Sequence, residues 1–198
     1  MSSHAISPAA ERNKEPIRKV LGELLPPRGV LLEIGSGTGQ HTAYFAAHFE
    51  HLVFQPSDRT LEWAPQIEAQ CRGLRNARRP IRLDVLDRPW SVDADFIFNA
   101  NMIHISPWTV TLALFEGASQ VLQSKCGICM ATYGPYFEAN KEPAPSNLAF
   151  DASLRQRDPS WGIRQKESVQ EVAERNGFSL ERSFDMPANN LLLAWSRP

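Results

Sequence analysis

Three glycines at alternate positions, Gly35, Gly37 and Gly39, follow directly on the apolar run Val30-Leu31-Leu32-Glu33-Ile34. A bend without side chains lets the main chain turn sharply and lets a ligand lie against it. A helical pattern resumes at once in Thr42-Ala43-Tyr44-Phe45-Ala46-Ala47-His48-Phe49. Strand, bare bend and helix in that order make a nucleotide-type cofactor site at the carboxyl end of a parallel strand. A carboxylate, Asp58, ends the next apolar run, His51-Leu52-Val53-Phe54-Gln55-Pro56-Ser57, 19 residues after Gly39. Such a group accepts hydrogen bonds from both hydroxyls of a ribose and disfavours a 2′-phosphate. Asp58 has a second reading, as the cap of a helix beginning near Thr60.

The spacing narrows the cofactor. A dinucleotide fingerprint places its third glycine one position later, where this chain has Gln40. Glu33 lies two positions before the first glycine. Together these residues resemble motif I of the class I S-adenosylmethionine-dependent methyltransferases.

The elements that must carry these groups alternate along the chain. Ile17, Val20, Leu21, Leu24 and Leu25 recur at helical spacing, so residues 8–25 are expected to open the chain as a helix that Pro26-Pro27 ends. Further strands are expected at Ile81–Val85, Asp95–Asn99 and Gly127–Tyr133, and helices at about 60–72, from Ser106-Pro107 onward, and at about 167–176. Ser106 supplies a cap and Pro107 a first-turn proline for the second of these. Phe178–Asp185 and Leu191–Trp195 then form an antiparallel pair around Asn189-Asn190. The expected architecture is α/β, a Rossmann-like class I methyltransferase sandwich with a seven-stranded, mostly parallel sheet closing in a C-terminal antiparallel hairpin. The expected organisation is one domain over residues 1–198, with an N-terminal helical segment at 1–28. Residues 134–166 break the alternation, with Pro135, Pro143, Pro145 and Pro159 among Tyr136, Phe137, Phe150 and Trp161. That stretch leaves from the same sheet edge as the glycine bend and is expected to be a lid over the acceptor; a surface excursion anchored by its aromatics is the other reading.

A net charge of −1 with 42% hydrophobic residues describes an ordinary globular chain and gives no ground for a nucleic-acid partner. The cluster Arg72, Arg75, Arg78, Arg79 and Arg82 reads as a solvated connection. Three cysteines make no disulfide framework, which points to a reducing, cytoplasmic setting. Cys126 and Cys129 face opposite ways on a strand and suit neither zinc nor redox work. No apolar run reaches membrane-spanning length and no signal layout opens the chain, so no membrane partner is expected. The five histidines form no compact metal set.

Two longer stretches are more specific than the glycines: Asn99-Ala100-Asn101-Met102-Ile103-His104-Ile105-Ser106-Pro107-Trp108, and Ala10-Glu11-Arg12-Asn13-Lys14-Glu15-Pro16-Ile17. With Gln55-Pro56-Ser57-Asp58 and Tyr133-Gly134-Pro135-Tyr136, they make essentially the whole chain similar to the methyltransferase-like 26 family, also catalogued as domain of unknown function 938. The resemblance implies S-adenosylmethionine as cofactor and S-adenosylhomocysteine as product. It implies Gly35, Gly37 and Gly39 against the cofactor with Glu33 and Ser57 beside them, Asp58 on the ribose, Asp84 and Val85 at the adenine, Asn99 near the methionyl end, and Asn13 or Arg12 over its carboxylate. Asp84 has a plainer role open to it, capping a turn toward Asp87. The family's methyl acceptor is not implied.

Methyl transfer from a sulfonium is an in-line displacement by an acceptor that the protein must align and shield from water. A base is needed only where the acceptor carries a proton. His104 is the candidate base or acceptor contact, its other reading a histidine packed beneath the helix start at Ser106-Pro107. Tyr133, the second catalytic candidate, would join Tyr136 and Trp108 in an aromatic wall suited to a neutral or cationic amine; a place in the core is the alternative. The chain lacks the Asn/Asp-Pro-Pro-Tyr grip on a base amine, a Pro-Cys nucleophile, and the Tyr-xxx-Lys pair of short-chain reductases, since Asn140 stands four residues after Tyr136. A methyltransferase for a small-molecule acceptor is thus expected. Its rivals are a non-catalytic S-adenosylmethionine- or nucleoside-binding protein that works through a protein partner, and an NAD(P)-dependent reductase.

Overall fold

Leu31 to Ile34 are buried without a break, as a branched apolar run requires when both faces of its strand are covered. In the computed structural model, which describes residues 6–198, that strand, β1 (Gly29–Ile34), lies inside the sheet with a strand on either side. Around it the chain runs α1 (Pro8–Leu24), α2 (Gln40–His48), β2 (Leu52–Asp58), α3 (Ala64–Gln70), β3 (Ile81–Arg82), β4 (Phe96–Ala100), α4 (Trp108–Val121), β5 (Gly127–Gly134), β6 (Tyr136–Phe137), α5 (Pro145–Arg157), β7 (Arg164–Gln165), α6 (Lys166–Arg175), β8 (Ser179–Met186) and β9 (Asn190–Arg197). Seven strands form one sheet in the order β3-β2-β1-β4-β5-β9-β8. β1 to β5 run parallel to one another, and β9 pairs antiparallel with both β5 and β8. This is the α/β arrangement expected above, a seven-stranded, mostly parallel sheet that closes in antiparallel strands.

Alternation along the strands splits the core in two. Leu32, Ile34, Ile97 and Met130 pack with Leu114, Phe115 and Val169 of α4 and α6. Leu31, Phe96, Phe98 and Ala131 pack with Ile17 and Leu21 of α1 and Phe45 of α2. Each of these buried side chains except the small Ala131 contributes ~1.5–3 kcal/mol. The three cysteines are free thiols, Cys126 exposed and Cys71 and Cys129 buried. Among the described residues no helix is long and apolar enough to cross a membrane.

Three local expectations change, and the 134–166 segment gains definite elements. β3 stops at Arg82 because Asp84 folds into a turn, its Oδ1 accepting the Leu86 N–H at 3.0 Å. α4 is capped by Pro107, while the Ser106 hydroxyl donates to the Met102 carbonyl at 2.8 Å. Trp63 precedes α3, so Asp58 does not cap it. Residues 134–166 are ordered as β6, α5 and β7, with β6 and β7 paired in parallel as a separate two-stranded ribbon. At the outer border of the main sheet, β8 is mostly exposed and its register with β9 shifts between Leu180 and Arg182. At the other border β3 has two residues.

Candidate functional site

Parallel strands deliver their carboxyl ends to one edge, and the glycine bend leaves β1 there. It is clipped to β2: the Gly35 and Ser36 N–H groups donate to the Ser57 carbonyl at 3.0 and 2.9 Å. The Ser57 hydroxyl donates to the Glu33 carbonyl at 2.7 Å. Ser57 is fully buried and spends its polar atoms on this clip. Gly39 heads α2 at φ 79°, and a Cβ there would stand 2.8 Å from the Ile67 Cα. Gly37, at φ 50°, has nothing within 4 Å of where its Cβ would be. The bend is therefore open at Gly37 and tightly packed at Gly39.

Asp58 faces that opening. Its Oδ2 accepts the Gly37 N–H at 2.9 Å and its Oδ1 the Arg59 N–H at 2.8 Å. A carboxylate oxygen has two acceptor directions, so each retains one for a ligand hydroxyl. Asp58 is half-buried.

Glu33 points beneath the bend. Its Oε2 accepts the Thr42 hydroxyl in the first turn of α2. Burial pushes its carboxyl up to about 7, the Thr42 and Ser36 hydrogen bonds opposing and the Asp58 charge adding to the rise. Beside it, burial pushes His41 down to about 4. His41 Nε2 meets Asn13 Oδ1 at 2.7 Å, which ties α1 to α2. α1 is also held by Gln40, whose Oε1 accepts the Ser7 N–H at 2.6 Å and whose Nε2 donates to Glu11 at 2.6 Å. The start of α1 thus lies at the mouth of the bend. Arg12 is exposed there, while Asn13 is buried.

Asp84 follows β3 at the same edge and serves its turn through Oδ1. Val85 is buried in the α4-side core, its carbonyl accepting the Trp90 indole N–H at 3.3 Å. Asn99, in β4, is fully buried; its Nδ2 donates to the Ile34 carbonyl at 3.4 Å and its Oδ1 has no partner.

The structure separates the two catalytic candidates. Tyr133 belongs to the core on the α1 side, where it hydrogen bonds with Asn13 and burial raises its hydroxyl pKa. His104 sits on the other face, edge-on to Tyr136 at 4.8 Å between ring centres. Tyr136 is committed to Thr132 through a 2.9 Å hydrogen bond, and Trp108 lies 5.6 Å from the Arg164 guanidinium. No aromatic wall of Tyr133, Tyr136 and Trp108 therefore assembles. His104 is fully buried; burial, with the Arg164 charge, pushes its imidazole down to about 3. An imidazole of that basicity is a poor proton sink near pH 7.

Two residues at this edge escaped the sequence reading. Asn101, directly after β4, takes φ 61° and donates its N–H to the Tyr133 carbonyl at 2.7 Å. Met102 covers Gly35, its Cγ 3.3 Å from the position of a Cβ there. The tolerance of asparagine for left-handed backbone is the signal that marks Asn101.

Comparison with known proteins fits this geometry. The family described as "Protein of unknown function (DUF938)" matches residues 4–197. Among solved structures, an O-methyltransferase family protein from Burkholderia thailandensis superposes with a TM-score of 0.78 at 15% identity, over 96% of this chain and 57% of that one. Human N-acetylserotonin methyltransferase in complex with S-adenosylmethionine gives 0.72 at 11% identity, over 96% and 52%. The calicheamicin-biosynthesis methyltransferase CalO1, bound to S-adenosylhomocysteine, gives 0.72 at 12%, over 95% and 55%. The chain thus spans little more than half the length of each, and what it shares with them is the methyltransferase fold.

Proposed function

This chain belongs to the DUF938 family, and we propose that it is a cytoplasmic S-adenosylmethionine-dependent methyltransferase acting on a small-molecule acceptor. The observation that carries the reading is the 2.9 Å hydrogen bond between Asp58 and the Gly37 N–H, which fixes a carboxylate at the mouth of an open glycine bend. The unpartnered Asn99 Oδ1 adds an acceptor that the cofactor's ammonium would complete. The likeness of Asn99–Trp108 and Ala10–Ile17 to methyltransferase-like 26 proteins agrees with it, as do the free thiols with a reducing compartment.

When bound, S-adenosylmethionine supplies a methyl group on a sulfonium already activated for displacement. Gly35, Gly37 and Gly39 offer main chain for it to lie against, and Asp58 holds the ribose hydroxyls. Asp84 and the neighbouring Val85 stand for the adenine end. Glu33 and Ser57 act from below, keeping the bend in shape through Thr42 and the β1–β2 clip. Asn13, through His41, holds the start of α1 over the site, with Arg12 exposed for the cofactor carboxylate. Tyr133 supports Asn13 in that task. The chain's share of the rate comes from alignment and exclusion of water, which can lower a barrier by ~7–11 kcal/mol.

Calorimetric titration with S-adenosylhomocysteine, S-adenosylmethionine and NAD tests the reading. Both adenosyl ligands should bind, NAD should not, and Asp58→Ala should weaken S-adenosylhomocysteine by roughly 1.5–3 kcal/mol, the loss of charge-assisted hydrogen bonds. Binding of NAD alone, or full affinity in a folded Asp58→Ala variant, would overturn it.

A further inference from the structure

Where the chain leaves β4, His104 has a ring nitrogen with nothing to bond. The Arg164 backbone N–H approaches His104 Nδ1 at 3.4 Å, which makes Nδ1 the acceptor and places the proton of the neutral ring on Nε2. The main chain around the ring is clamped as well. Arg164 also donates to the Ile103 carbonyl at 3.0 Å and to the Ser106 carbonyl, and the Gly162 N–H donates to the His104 carbonyl at 2.9 Å. Yet Nε2, in a residue with no exposed surface, has no partner. Buried polar groups are nearly always paired, and one held unpaired by so many contacts asks for an external partner.

The surroundings indicate which partner. A Cβ on Gly134 would stand 2.5 Å from His104 Nε2 and 3.3 Å from Asn101 Oδ1. Gly134 is not among the glycines with positive φ, so the bare Cα serves the imidazole edge and not the backbone. Asn101, half-buried, lies over the same spot at the tip of β4, beside the tip of β5. This is the carboxyl edge that carries the glycine bend, and the unpartnered Asn99 Oδ1 belongs to the same strand exit. Burial keeps the imidazole neutral, and among the described residues the charge that adds to this is that of Arg164. A neutral donor in dry surroundings complements an uncharged oxygen better than a carboxylate, whose burial is far more costly.

We propose that His104 is an acceptor-binding residue that donates its Nε2–H to an uncharged carbonyl oxygen of the molecule to be methylated, which enters past Asn101. The assignment rests on the methyltransferase reading and gives its acceptor a chemical class: compounds bearing an amide, ester or ketone beside the atom that receives the methyl group. His104 then orients the acceptor as a donor and removes no proton from it.

The test is NMR of the 15N-histidine-labelled chain saturated with S-adenosylhomocysteine, with benzamide and its carbonyl-free counterpart toluene added in parallel and the His104 signal identified by His104→Gln. The ring should be in the Nε2–H tautomer from about pH 5 to pH 8, and benzamide, but not toluene, should shift Nε2 saturably. Gly134→Ala should abolish the benzamide shift while S-adenosylhomocysteine affinity stays within about twofold; should that variant not fold, the wild-type titration decides alone. An Nδ1–H or charged ring, no benzamide shift, or equal shifts from both probes overturns the assignment of His104. Failure of S-adenosylhomocysteine to bind overturns the methyltransferase reading instead.

Discussion

At the scale of single residues, the glycines of the bend do different work. Gly39 is closed in, because a Cβ there meets the Ile67 main chain at 2.8 Å, whereas Gly37 opens on empty space. Both take left-handed backbone, which costs a non-glycine residue roughly 1–2 kcal/mol. Gly39→Ala should add overpacking of about 1–3 kcal/mol and lower the melting temperature markedly. Gly37→Ala should melt only slightly earlier but lose at least about tenfold in S-adenosylhomocysteine affinity, because its methyl group fills the ligand's side of the bend. Melting curves and calorimetry on the two variants check this, and equal losses of stability with unchanged affinity would contradict it. Gly37 and Asp58 were legible in the sequence because a bare bend and a carboxylate at a strand tip are encoded by residue type and spacing. The roles of Tyr133 and His104 were not. Strand parity assigns Tyr133 a face only once the sheet is known, and a loop residue such as His104 has no parity at all.

At the scale of elements, the main strands and α1, α2, α4 and α6 follow their apolar periods, and the structure agrees with them closely. The segment 134–166 does not announce itself, for a physical reason. α5 buries only Asn147 and Leu154, so it has almost no apolar stripe to detect. β6 and β7 pair across more than twenty residues and carry two residues each. What holds the second half of this segment down is Arg164, whose guanidinium and backbone bind the turn after β4. Arg164→Met should leave the main sheet intact while hydrogen exchange quickens in residues 158–165 and 103–106, since their mutual clamp is lost. Unchanged protection there would mean that the ribbon is held by β6–β7 pairing alone. The sequence could not show the clamp, because its partners stand about sixty residues apart and none is charged.

At the scale of the whole molecule, buried ionisable groups set how stability follows pH. His41 and His104 are pushed down to about 4 and about 3, whereas an unfolded histidine takes up a proton near 6.5. Between about pH 4 and 6.5 the unfolded chain therefore binds more protons at these sites, and stability rises with pH. Glu33, pushed up to about 7 from 4.5, acts oppositely: the folded chain keeps a proton that the unfolded chain releases, so this contribution falls as pH rises through that window. Two histidines against one carboxyl leave a net rise, and Glu33→Gln should steepen it. Urea titrations at pH 4.5, 5.5 and 6.5 measure both slopes; a flat profile would show that these groups are not buried as described. The borders of the sheet have a consequence of their own. β8 is kinked out of register beside Arg182, and β3 ends after two residues. Neither rim presents a long straight row of idle amides and carbonyls, so a neighbouring molecule finds no template on which to continue the ladder. A chain whose outer strand was straightened and stripped of its charges would lose that protection and gather into ribbons when concentrated.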